Sequence, residues 1–103
     1  MVILTSDNFR NSIASGVVVV DMYADWCGPC RALSPILEEL SQKVDGVTFA
    51  KLNVDDSSDI AMEYGVMSIP TVIIFKDGKE QKRIIGLYPR DYYIEVINDA
   101  KNS

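Results

Sequence analysis

No histidine occurs anywhere in the 103 residues. That absence removes every Ser-His-Asp and Cys-His mechanism and leaves no imidazole for a metal. Cysteine is scarce: Cys27 and Cys30 are all the chain has. A closed zinc site needs four ligands, so zinc here would require a dimer sharing two pairs, or carboxylates. No metal is expected. Basic residues are outnumbered, with 10 Lys and Arg against 15 Asp and Glu, for a net charge of −5. Nucleic acid and anionic membrane both need a basic face, so neither is expected as a partner. Long apolar runs are missing too. Val17 to Val20 is far too short to span a bilayer. The N-terminal Met1-Val2-Ile3-Leu4 turns polar at Thr5, with no basic region and no apolar stretch of secretory-signal length. The expectation is a soluble, cytoplasmic protein.

What remains is an ordinary globular balance, 48% hydrophobic and 24% charged. A chain of this length fits one domain, residues 1–103, with a modest core. Strand and helix patterns alternate along it. Val2-Ile3-Leu4 reads as a short strand. Thr5 or Ser6 can cap a short helix through Ile13, with Phe9 and Ile13 on one face. The run from Val17 to Tyr23 is β-branched and apolar on both faces, as a central strand covered on both sides must be. A helix should start near Cys27 to Pro29 and run to about Lys43, with Leu33, Ile36, Leu37, Leu40 and Val44 at helical spacing. Pro35 lies inside it and should bend it. Val47 to Val54 reads as a strand, and Ser57 or Ser58 as the cap of a helix over Ile60 to Tyr64. Thr71 to Phe75 and Glu80 to Ile85 form a hairpin around Asp77-Gly78. Pro89 to Ala100 closes as an amphipathic helix on Tyr93, Val96, Ile97 and Ala100. The order β-α-β-α-β-α-β-β-α predicts an α/β fold: a mixed central sheet with helices on both faces. The four methionines and Phe75 read as core residues.

The chemistry concentrates in Trp26-Cys27-Gly28-Pro29-Cys30, a C-x-x-C between a buried strand and a helix. At a helix start, unpaired N–H groups and the helix dipole favour thiolate over thiol at Cys27. Cys30, one turn further in, should be more buried and less acidic, placed to displace whatever becomes bonded to Cys27. As a structural staple the pair is poorly sited, since so short a loop yields only about 2 kcal/mol. Gly-Pro between the cysteines and Trp26 beside them suit an exposed turn better than an inert core pair.

The chain resembles the thioredoxin family along nearly its whole length. The matching stretches are Val20 to Cys30, Lys51-Leu52-Asn53-Val54-Asp55, Ile69-Pro70-Thr71 and Phe75-Lys76-Asp77-Gly78. The resemblance implies a thioredoxin fold that reduces protein disulfides, acts as a monomer and is re-reduced by a separate thioredoxin reductase. No bound cofactor is expected, because two sulfurs carry the electrons. Two rivals stand beside this reading. One is an isomerase or oxidase of the same fold. The other is a partner-binding module in which the thiols are secondary.

Further residues gain roles from the resemblance. Asp21 closes the most apolar run, where a carboxylate either reaches solvent or is buried with a raised pKa. The family pattern implies burial beneath the second cysteine and a general-base role toward the Cys30 thiol. Lys51 resembles the lysine that pairs with this aspartate. Pro70 resembles a cis proline facing the dithiol, which exposes the backbone near Ile69 to an extended substrate segment and keeps metal out. Trp26, Gly28, Pro29, Val66, Ile69, Gly86 and Leu87 would complete a flat apolar docking rim. Gly86 reads equally as a strand-to-helix turn, and Val66 and Leu87 equally as core. Tyr23, Leu87 and Met67-Ser68 depart from the commonest family forms, which bears on substrate preference rather than on the chemistry.

Overall fold

The structure, a computed structural model, describes residues 1–103. Nine elements follow in order: β1 Val2–Leu4, α1 Phe9–Ile13, β2 Val17–Tyr23, α2 Gly28–Lys43, β3 Val47–Asn53, α3 Ser58–Glu63, β4 Thr71–Lys76, β5 Lys79–Ile85 and α4 Arg90–Lys101. Every predicted element is present. The strands form one sheet in the order β1-β3-β2-β4-β5. β1 and β2 both lie parallel to β3, while β4 runs antiparallel to β2 and to β5. The split follows from the connections. Helical crossovers return the chain in the same direction, and the Asp77-Gly78 turn reverses it. Both turn residues have positive φ, +52° and +85°, as a two-residue hairpin turn requires.

Side-chain alternation along β2 divides the core. Val18, Val20 and Met22 point to one face, where Phe9 and Ile13 of α1 and Ile60 of α3 cover them. Val19 points to the other, against Leu33, Leu37 and Leu40 of α2 and Tyr93, Ile97 and Ala100 of α4. Asp21 shares the parity of Val19 and therefore faces α2. The same alternation on β3 puts Lys51 on the side of Phe49, and Lys51 is the register partner of Asp21.

Some local expectations are corrected. Neither Thr5 nor Ser6 caps α1. The Asn8 side chain accepts the Thr5 N–H at 2.7 Å, which closes a turn first, and Asn8 becomes the N-cap. As expected, Pro35 lies inside α2, which continues past it to Lys43. The proline removes a single helical hydrogen bond, and Leu33, Leu37 and Leu40 anchor the helix on both sides of it. Of the two serines expected to cap α3, Ser57 takes the N-cap position, as that reading allowed. Of the methionines only Met22 is fully buried; Met1 is half-buried, whereas Met62 and Met67 are 81% and 94% exposed. The physical reason is local: Met62 lies on the outward side of α3, and Met67 stands in the loop before β4, where no element covers it. No helix is long and apolar enough to cross a membrane.

Candidate active site

Cys27 is the N-cap of α2, with extended backbone at φ −90° and ψ 113°. Its sulfur accepts the Cys30 N–H at 3.2 Å. A helix start leaves its first amide donors unpaired, and here one of them is aimed at sulfur. Pro29 occupies the first turn, where a missing N–H removes no helical bond. Cys27 and Cys30 are joined in a disulfide with Cα atoms 5.2 Å apart. Their exposures are 5% and 3%, so the expected difference in burial is slight. What separates them is what they face. Cys27 Sγ lies 3.8 Å from the Ile69 carbonyl oxygen, toward the loop before β4. Cys30 instead lines a pocket of about 220 Å³ together with Asp21, Tyr23 and Lys51, which opens to solvent past Asp25 and Arg31.

Asp21 is 2% exposed, and its Oδ1 has no hydrogen-bond partner. An unpaired buried carboxylate is costly in its charged form. Burial pushes its pKa up to about 7, against the opposing pull of the Lys51 charge. The alternative of a strand-end aspartate in solvent is thereby removed. The expected Asp21–Lys51 pair is a through-space attraction rather than a contact ion pair. The Lys51 ammonium lies over the Tyr23 ring, 5.5 Å from its centroid, and the aromatic face draws it away from the carboxylate.

The loop before β4 supplies the opposite wall. The Ile69–Pro70 bond is cis, Pro70 is buried and Ile69 is half-buried. Gly86 donates its N–H to the Pro70 carbonyl at 2.9 Å and has φ +97°. The turn reading of Gly86 therefore holds, and its N–H also braces the cis-proline loop. Tyr93 of α4 fixes this turn from beneath, donating its hydroxyl to Gly86 O and accepting the Tyr88 N–H. Beside the cysteines, Trp26, Gly28 and Pro29 are exposed, as is Leu87 after the Gly86 turn. Val66 is half-buried and packs on the α1/α3 side of the core, so its main part is structural.

One residue here was not singled out by sequence reasoning. Asp55 accepts the Trp26 indole N–H at 2.9 Å and so sets the ring that borders Cys27. It belongs to one of the stretches that carry the resemblance, but no spacing rule links it to Trp26 across 29 positions. Met67, noted with Ser68 as a departure that bears on substrate preference but expected in the core, stands exposed on the loop that faces Cys27.

Sequence comparison matches the thioredoxin family, described as "Thioredoxin", over residues 1–99. The chain is 48% identical to the thioredoxin of Chlamydia caviae and 50% identical to that of Chlamydia pneumoniae. Each match spans 96 residues, 93% of this chain and 94% of the relative. The oxidised mitochondrial thioredoxin 3 of Saccharomyces cerevisiae superposes with a TM-score of 0.88 at 40% identity, covering 96% of this chain and 94% of that one. With the same cysteine pair seated at the start of α2, these matches show that the chain belongs to the thioredoxin family and is a thiol-disulfide oxidoreductase.

Proposed function

We propose that the protein works as a reductant of disulfides in other proteins, with Cys27 as nucleophile, Cys30 as resolving thiol and Asp21 as general base. The observation that carries this reading is the N-cap position of Cys27, whose sulfur accepts a helix amide while its far side faces the substrate-accessible loop. Hydrogen bonds to a charged sulfur favour the thiolate, which is the attacking species.

The steps balance as follows. Cys27 thiolate attacks one substrate sulfur, the substrate S–S bond breaks, and the other sulfur leaves as a thiolate that takes up a proton. Asp21 then accepts the Cys30 proton; the 220 Å³ pocket they share has room for a bridging water. Cys30 thiolate attacks Cys27 Sγ and releases the second substrate sulfur. The substrate gains two electrons and two protons, and Cys27–Cys30 becomes the disulfide. A thioredoxin reductase returns two electrons to it, as membership of the family implies. Gly28-Pro29 between the cysteines supplies no histidine to hold the thiolate further, which favours the reducing direction. Such electron flow fits a reducing, cytoplasmic compartment. One copy of the chain carries every group the chemistry uses, so a monomer suffices.

Substrate docking falls to the exposed Trp26, Gly28, Pro29 and Leu87, with Ile69 offering its backbone to an extended segment. Lys51 acts through its charge on Asp21.

Asp21→Asn separates the two chemical steps. Formation of the mixed disulfide should proceed at the native rate. Its resolution should slow by about a hundredfold, the usual contribution of a positioned base. Rapid-mixing kinetics with a fluorescent disulfide peptide read both steps, and native resolution in the variant would remove Asp21 from the mechanism.

A further inference from the structure

The loop that brings Ile69 to the dithiol also carries an oxidisable side chain that the disulfide chemistry does not use. Met67 is 94% exposed, the most exposed of the large apolar residues. It is not on a loose segment. On one side, Val66 packs on the core and its N–H bonds to Ala61 O at 2.9 Å. On the other, the Ser68 carbonyl accepts the Thr71 hydroxyl at 2.5 Å. Two residues on, the Ile69 carbonyl stands 3.8 Å from Cys27 Sγ. A substrate segment that lies along Ile69 and continues toward the α3 end of this loop passes the Met67 position.

We propose that Met67 is a peroxide-sensitive modification site that controls protein docking. A hydroperoxide transfers its terminal oxygen to the thioether. The O–O bond breaks, an S=O bond forms, the sulfur loses two electrons and the peroxide leaves as water or an alcohol. The product is polar where the thioether was apolar, so a substrate covering it must desolvate the sulfoxide without a matched partner. Attack at sulfur by a small disulfide, which needs no docking segment, is untouched. Met22 has no exposed surface and is spared, and Met62, on α3 outside the loop, oxidises without consequence. This inference rests on the docking reading proposed above.

The test uses the full chain held as its Cys27–Cys30 disulfide, which protects the thiols from peroxide. Hydrogen peroxide is added and removed, the disulfide is reduced with dithiothreitol, and reduction of insulin and of hydroxyethyl disulfide is followed. Peptide mass mapping should find one added oxygen on Met67 and Met62 and none on Met22. Insulin kcat/KM should fall by about fivefold, the order expected for desolvating one new polar group, while the rate with hydroxyethyl disulfide holds. Met62→Leu should lose as much as the native chain. Met67→Leu, whatever its untreated rate, should keep that rate after peroxide. Full insulin activity with Met67 oxidised, an equal loss in Met67→Leu, or no oxidation at Met67 would each overturn the proposal. Failure of the untreated native protein to reduce insulin at all would instead overturn the docking and reductant reading beneath it.

Discussion

The Cys27→Ser variant is expected to reduce insulin no faster than dithiothreitol alone. The argument is chemical before it is structural. A serine hydroxyl is not ionised near neutral pH, and the amide of Cys30 that now bonds to sulfur cannot bring it into range. Nor can oxygen form the mixed disulfide on which electron transfer depends. Cys30 does not substitute, because it faces the pocket beside Asp21 while Cys27 faces the Ile69 loop. Cys30→Ser should fail in a different way. Its nucleophile is intact, so it should attack once and stop, and a covalent complex with the substrate should accumulate on non-reducing gels. Cys27→Ser should form none. A covalent complex with Cys27→Ser and not with Cys30→Ser would reverse the roles assigned to the two sulfurs. Full biological activity in the double Cys27→Ser, Cys30→Ser variant would favour the binding-module rival.

The second large effect is on stability and comes from Asp21. Its carboxyl titrates near pH 7 when folded, against 3.8 as the ordinary value, because burial penalises the charge. The folded protein thus holds this proton more tightly than the unfolded chain does. Below about pH 4 both states are protonated and the group contributes no difference. As pH rises from there through 7, the unfolded chain releases the proton first and stability falls. The loss is complete above about pH 8 and amounts to on the order of 4 kcal/mol, at about 1.4 kcal/mol per unit of displacement. Asp21→Asn has no proton to lose. In denaturant titrations it should match the native protein near pH 4 and exceed it by a few kcal/mol at pH 8 and above. Parallel stability curves for the two proteins across that range would show that Asp21 is not buried as described. The same substitution thus gains stability while slowing resolution, which is how a functional buried charge differs from a structural one.

The local grammar of the chain carried the fold far. Four consecutive valines ending in Asp21 could only be an interior strand, and Asp77-Gly78 between β-rich runs could only be a tight reversal. Cys27 ahead of Gly-Pro marked a helix start because proline tolerates that turn and little else in a helix. The order of strands was not legible. Pairing β3 between β1 and β2 brings together residues about 30 and 50 positions apart, and no local preference encodes that. The site divides in the same way. The cysteine pair announced itself by spacing. Asp21 needed the family pattern, because a strand aspartate can bend to solvent unless the far side of the sheet is covered. Lys51 was expected to pair with it and acts on it through its charge, while its ammonium lies over the Tyr23 ring, two residues along β2. Met67 was misplaced for the converse reason. An apolar residue defaults to the core in any reading by hydropathy, and only the path of the loop before β4 leaves it outside.

All of this depends on Cys27 sulfur being held as an anion by the start of α2. The direct measurement is the ultraviolet thiolate absorbance of reduced Cys30→Ser protein, titrated from acid to alkaline pH with Cys27 as its single thiol. Half-ionisation well below the free-cysteine value of about 8.5 is the predicted result. Half-ionisation at or above that value would contradict the account, because the amide at 3.2 Å and the helix behind it would then do nothing for the sulfur they face.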